Sequence, residues 1–254
     1  KRISGFRNDT TSKPQSSGFE LLITNSRYRA QATPMKGIGE KIVYRVIRDG
    51  DLIPLNKMGF SDKALNDLLW CIDQDQGLIL VTGPTGSGKS TTLQGAINEL
   101  NRDRYNVITI EDPIERRIND VIHTEISPEY NWIDAIKCAL RSDPDYLLIG
   151  EIRDKESAEL CLEASQTGHL VFSTLHVSDA PGVVNRLISL GVDREVLAEN
   201  LLFASSQKFA PKLCHHCKIK NEISNFYKRS SYGCENCNKS GVKGIVVLME
   251  YLFR

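Results

Sequence analysis

The chain has 254 residues, 41% hydrophobic and 25% charged, which suits one large or two small soluble globular domains. Its 32 Lys and Arg balance 32 Asp and Glu, so general electrostatic binding to nucleic acid has no overall charge surplus to draw on, although a local basic patch stays open. The longest apolar runs, such as GIVVLM and YLLIG, fall far short of the roughly 20 residues a membrane-spanning helix needs. No signal peptide is visible. The first residue is Lys1 rather than Met, so the sequence reads as a piece of something longer.

Residues 1–17 are polar, with the composition of a mobile segment. FELLITNSRYRAQATP (19–34) reads as two short strands about the turn TNS, and GEKIVYRVI (39–47) as a strand with Ile42, Tyr44 and Val46 on one side. RDGDLIP has linker composition. At SDKALNDLLWCI (61–72) the period becomes helical, with Ser61 as N-cap. A strand, GLILVT (77–82), then runs into GPTGSGKST (83–91), and STTLQGAINELN (90–101) is helical.

That central stretch fits G-x-x-x-x-G-K-[ST], in Gly83, Gly88, Lys89 and Ser90. Glycines let successive backbone N–H groups turn inward around an anion, and the following helix aims its N-terminus at the same point. Gly83, Pro84, Thr85, Gly86, Ser87, Gly88, Lys89, Ser90 and Thr91 are therefore candidate nucleotide-binding residues. Lys89 would reach the β- and γ-phosphates, and Ser90 would take a position on Mg²⁺.

Further strands follow at 106–112, 145–151 and 169–176, alternating with helices at 134–142, 157–168 and 180–191. Alternation of this kind implies an α/β fold, a parallel sheet with helices on both faces, and ligands sit at the carboxyl ends of such strands. Those ends carry the phosphate loop, Glu111 and Asp112, Glu151, and His176. Glu151 is placed to polarise a water, and Glu111 to share that work or hold a Mg²⁺-bound water. His176 would hydrogen-bond a γ-phosphate oxygen, the plainer alternative being a bond to a backbone carbonyl. Asp112 and Glu115 are weaker candidates. Arg141 and Arg153 read equally as salt-bridge partners or as a route to a neighbour, and His169, at the far end of its strand, as structural.

Seven cysteines fit a fully paired disulfide framework poorly. Cys71, Cys138 and Cys161 fall in apolar helical patterns and read as core. Cys214, Cys217, Cys234 and Cys237 form two C-x₂-C pairs sixteen residues apart, the pattern of a closed, structural Cys₄ zinc site; His215 and His216 are alternative ligands, but read better as facing solvent. Unpaired thiols beside a phosphate loop indicate the cytosol.

GPTGSGKSTT, TIEDPIE, LRSDPDYLLIGEIRD and TGHLVFSTLHVSDA stand in the order and spacing of the secretion traffic ATPases, over about residues 28–249. The chain resembles the assembly branch of that family, which powers type II secretion and type IV pilus extension. The resemblance implies a RecA-like P-loop NTPase domain at 61–254 with a tetracysteine zinc subdomain at 212–240. Before it come a linker at 51–60 and part of a PAS-like α+β N-terminal domain at 1–50. It makes 83–91 the Walker A loop, 108–115 the aspartate box, 141–154 the Walker B region and 168–180 the histidine box.

It also implies ATP, Mg²⁺ and Zn²⁺ as cofactors and a homohexamer with sites between subunits, where Arg29 and Arg45 would reach the phosphate of a neighbour. The implied partners are an inner-membrane platform protein and a cytoplasmic adaptor, with no direct nucleic-acid contact. Residues 207–214, QKFAPKLC, depart from the family's Arg-rich QRLVRRLC, and GVKGI replaces a GYRGR-like run. Two other readings remain: a nucleotide-gated switch with little hydrolysis, and a DNA-uptake or transfer motor on the same fold.

Overall fold

A computed structural model of the chain describes residues 6, 12–21, 26–37, 39–48, 52–100, 102–221 and 226–254. Most of 1–17 and the turn expected around Thr24 and Asn25 lie outside the described residues. The chain divides into two compact units, Lys1–Asp51 with Ile114–Asn119, and Leu52–Pro113 with Asp120–Arg254.

The smaller unit holds an antiparallel sheet in the order β1 (Gln15–Leu21), β2 (Ser26–Met35), β3 (Gly39–Arg48). Its core is Phe6 against the fully buried Ala30 and Ala32, flanked by Phe19 and Ile42. Small side chains at alternate positions of β2 let the Phe6 ring lie on that face of the sheet. Arg29, one residue before Ala30, therefore points to the opposite face. Arg45 stands directly across from it on β3.

In the larger unit the helices start where their caps say. Ser61 Oγ accepts from Ala64 N at 3.2 Å to open α1 (Asp62–Ile72), and Asp179 Oδ1 accepts from Gly182 N at 2.7 Å to open α5 (Ala180–Ser189). Between them come α2 (Lys89–Glu99), α3 (Trp132–Leu140) and α4 (Lys155–Gln166). The short α6 (Arg194–Asn200) follows α5.

Seven strands form the central sheet, ordered β12-β9-β4-β8-β7-β5-β6. They are β4 (Gly77–Thr82), β5 (Val107–Glu111), β6 (Ile122–Glu125), β7 (Tyr146–Ile149), β8 (Leu170–Leu175), β9 (Leu201–Leu213) and β12 (Val242–Phe253). β4, β5 and β8 are buried at every residue, which requires cover on both faces. Leu78 and Leu80 enter a core shared with α3, α4 and α5, while Ile79 and Val81, pointing the other way, are equally buried.

Two expectations need correction. The sheet is mostly parallel, not wholly so: β12 closes its edge antiparallel to β9. Cys71 and Cys161 are buried, but Cys138 is exposed on the outer side of α3, because Ala135, Ile136 and Ala139 supply that helix's inner face.

Candidate active site

The loop expected to hold phosphate leaves β4 and ends at α2, whose N-terminal N–H groups carry no side-chain cap. Gly83 (φ +136°) and Gly88 (φ +89°) occupy backbone regions closed to most L-residues. A Cβ on Gly83 would sit 2.3 Å from the Gln207 carbonyl oxygen, and one on Gly88 2.7 Å from the Phe209 ring. The two glycines thus let the loop lie directly on β9. Lys89 Nζ donates to the carbonyls of Gly83 (2.9 Å) and Pro84 (3.1 Å), so the ammonium is held over the loop. Ser87 Oγ is buried with no hydrogen-bond partner among the described residues. Pro84, Thr85 and Gly86 are exposed at the rim, and Ser90 and Thr91 are half-buried. A cradle of backbone, an ammonium and an open helix N-terminus fits a phosphate chain with its Mg²⁺.

Gln207 was not among the residues singled out from sequence. It is fully buried and clamps the loop from below: Nε2 donates to Ser87 O (2.9 Å), and Oε1 accepts from Thr92 Oγ1 of α2 (3.1 Å). Its signal in the sequence was one polar amide ending the small-residue run FASSQ.

The carboxyl ends of β8 and β7 bring the next two candidates together. His176 Nε2 lies 3.0 Å from Glu151 Oε2, and the other oxygen of Glu151 accepts from Arg153 Nε. The Arg153 guanidinium also stands 3.7 Å from Asp112 and lies over the Trp132 ring, 5.1 Å from its centroid. Trp132 packs so closely on the strand end that a Cβ on Gly150 would be 2.9 Å from the ring and 3.1 Å from Ile110 O. Thr174 Oγ1 donates to Gly150 O at 2.7 Å, fixing the two strand ends together.

β8 separates β4 from β7, and adjacent strands lie about 4.8 Å apart, so Glu151 stands about 10 Å across the sheet edge from the root of the loop. Glu111 lies one strand further along the same sheet edge. It is buried at the end of β5, accepts from Thr109 Oγ1 (2.9 Å) and lies 3.3 Å from His123 Nδ1 on β6. His123 was also missed from sequence, being a lone histidine in a short strand. Glu115 is exposed within Ile114–Asn119, the segment that clusters with the smaller unit; Arg141 is exposed at the end of α3. His169, at the opposite end of β8, sits 3.0 Å from Ala164 O. Arg29 and Arg45 stand on the smaller unit's sheet.

The four cysteines converge. Their Sγ atoms lie within 4.8 Å of one another, and Cys214–Cys234, Cys217–Cys237 and Cys234–Cys237 are each 3.8 Å apart. Four thiolates at about 2.3 Å from a tetrahedral Zn²⁺ stand about 3.8 Å from one another, so the spacing fits that ion. Backbone N–H groups of Cys234 and Gly241, each 3.2 Å away, hold the Cys237 thiol down to about 6. That favours a thiolate at Cys237, whereas burial pushes Cys217 up to about 12 and raises Cys234, the direction that a bound cation would oppose. His215 and His216 are exposed and outside the cluster.

The family model described as Type II/IV secretion system protein matches residues 8–254. The chain belongs to that family. It is 39% identical to the type IV pilus assembly ATPase PilB of Myxococcus xanthus over 235 residues, 84% of this chain and 41% of the relative. It is 36% identical to the type II secretion system ATPase E of Vibrio cholerae over 94% of this chain and 51% of that one. The chain thus spans about half the length of the curated relatives it matches. Among solved structures, the pilus retraction motor PilT with bound ADP gives a TM-score of 0.74 at 32% identity, covering 94% of this chain and 63% of that one. The Legionella pneumophila ATPase DotB gives 0.70 at 26%, covering 95% and 63%.

Proposed function

We propose that the chain is the ATP-hydrolysing part of a hexameric motor that drives pilin or pseudopilin assembly, in type IV pilus biogenesis or type II secretion. The observation that carries this is the hydrogen-bonded Glu151–His176 pair, on the same sheet edge from which the phosphate loop departs. A site that only binds nucleotide needs the loop, whereas a carboxylate and an imidazole two strands away are what aims a water at the γ-phosphate.

Lys89 and the loop N–H groups bind the phosphates, Ser90 holds Mg²⁺ and Glu151 orients the water. His176 cannot give the same nitrogen to Glu151 and to a γ-phosphate oxygen. In this reading it exchanges partners when ATP binds, freeing one oxygen of Glu151 for the water. Glu111, fixed by Thr109 and His123, supports the metal's water shell. Arg29 and Arg45, directly opposite each other on β2 and β3, are the candidates to reach a phosphate of a neighbouring subunit.

The RecA-like assignment, the zinc subdomain at 212–240 and the N-terminal domain belong to this reading. So do a cytoplasmic position and contact with an inner-membrane platform protein and an adaptor. No helix among the described residues is long and apolar enough to cross a membrane. The assembly role, rather than retraction, rests on the tetracysteine cluster and on the curated relatives' names.

The test is MgATP hydrolysis per subunit as protein concentration rises, with Glu151→Gln alongside. Specific activity that climbs with concentration, and a variant that binds ATP but turns over about 100-fold or more slower, support the motor. ATP binding with no turnover at any concentration supports the nucleotide switch instead. Unaltered hydrolysis by Glu151→Gln removes that residue from the catalytic role.

A further inference from the structure

The chain is neutral overall, but its charge is not spread evenly. Residues 208–243 carry seven Lys and one Arg against two Glu, leaving 24 basic and 30 acidic side chains elsewhere. All eight cations lie among the described residues, and seven are exposed. The eighth, Lys218, is half-buried because its ammonium stands 4.1 Å from the centroid of the Tyr227 ring.

The cysteine cluster ties 214–217 to 234–237, so that Lys218, Lys220, Lys228, Arg229 and Lys239 fall in one small lobe, with Lys208, Lys212 and Lys243 on the ends of β9 and β12 that lead into it. Within it, β10 (Ile219–Lys220) and β11 (Tyr227–Lys228) pair so that Ile219 faces Lys228 and Lys220 faces Tyr227. Each side of that short ladder thus couples a cation to an apolar or aromatic side chain. Beside it Phe226 is 77% exposed and Tyr232 89% exposed. Large rings left in water on a basic lobe are not explained by packing within the chain.

We propose that this lobe docks directly on an anionic lipid surface. The charge complementarity is to phosphate headgroups, and the chemistry separates this occupant from nucleic acid. Arginine, with its planar fork, is the side chain suited to paired contacts with nucleic-acid phosphates and bases, and here lysine outnumbers it seven to one. Lysine acts as a hydrated point charge, sufficient for attraction to a charged plane. Ile219 and Phe226 offer base edges no hydrogen bonds, yet both gain by entering the headgroup boundary, where Tyr232 also suits the interface. The Tyr227 face is covered by Lys218, so it is not an open platform for a stacked base. This contact goes beyond the proposed function, in which the membrane is reached only through partners, and does not depend on ATP hydrolysis.

The test is co-sedimentation of the whole chain, without nucleotide, with phosphatidylcholine vesicles containing or lacking ~30 mol% phosphatidylglycerol, at roughly 0.1 M and 1 M salt. The expected result is binding to the anionic vesicles alone, lost at high salt. The double variant Lys220→Gln/Lys228→Gln should bind about 25-fold more weakly, at about fivefold per charge removed, and Phe226→Ser should bind more weakly than the parent. Unchanged melting temperature and metal content in these variants show that the lobe is still folded. Equal binding to both vesicles, no binding to either, or an unaffected double variant overturns the proposal. So does tighter binding to a single-stranded oligonucleotide or to polyglutamate than to the anionic vesicles, which would make the face one for nucleic acid or for an acidic protein.

Discussion

Replacing Gln207 with leucine keeps the side chain's bulk but removes both of its hydrogen bonds beneath the phosphate loop. The Ser87 carbonyl is then left buried and without its donor, which costs about 1–3 kcal/mol. Thr92 loses less, because a helical threonine can turn its hydroxyl to a carbonyl of the preceding turn. A net loss of about 2 kcal/mol corresponds to roughly 4–8 °C in melting temperature for a chain of this size. The loop bears the strain, so nucleotide affinity should fall by up to about 30-fold.

The glutamate variant isolates the donor. A protonated carboxyl can still donate to Ser87 O, whereas a carboxylate cannot, and burial raises the folded-state pKa above the unfolded value of about 4.3. Stability of Gln207→Glu should therefore be closest to the parent below that unfolded value and be lost as pH rises through the folded pKa. Urea denaturation across pH, with ATP and ADP titrations at neutral pH, measures all of this. If the leucine variant lies within about 0.5 kcal/mol of the parent and binds nucleotide equally well, the clamp carries no energy and the reasoning fails.

Gly150→Ala would set a methyl 2.9 Å from Trp132 and 3.1 Å from Ile110 O, and should cost about 1–3 kcal/mol in urea denaturation; an unchanged midpoint would show that the strand end has room. The cysteine cluster should bind a single tightly held Zn²⁺ per chain by elemental analysis, and Cys237→Ser should reduce that content. Chelation should also speed proteolysis between Cys214 and Cys237 while leaving the central strands resistant; cleavage that is indifferent to chelator would count against a metal clamp.

Most of the alternating strands and helices from Ser61 to Leu190 were legible because each buried strand is a short apolar run and the helical period starts cleanly, as after the Ser61 cap; the short, half-exposed β6 gave no such run. β9 was not. Its Ser205, Ser206, Gln207 and Pro211 look like a loop in one dimension. Ser206 and Gln207 find their partners, the Ser178 carbonyl and the phosphate loop with α2, only in the folded chain, and Pro211 is tolerated because β9 pairs with β4 only as far as Ser206. β12 escaped notice for the complementary reason, since an edge strand with one partner needs no strict alternation.

At the site, the phosphate loop and the positions of Glu151 and His176 could be read from motif and strand ends. Their mutual bond could not, because it depends on register between β7 and β8. Cys138 shows the limit of pattern: the helical period admitted it to the core, but three neighbouring positions had already filled the inner face of α3.

β9 touches the phosphate loop at Gln207 and enters the cysteine cluster at Cys214, seven positions later. At about 3.3 Å per residue that is roughly 23 Å of extended chain, laddered to β12 along much of its length. A strand in a ladder can scarcely stretch, so a tug on the cluster arrives at the loop as displacement and not as slack. The cluster is in that sense a handle, and the loop is where the pull is felt.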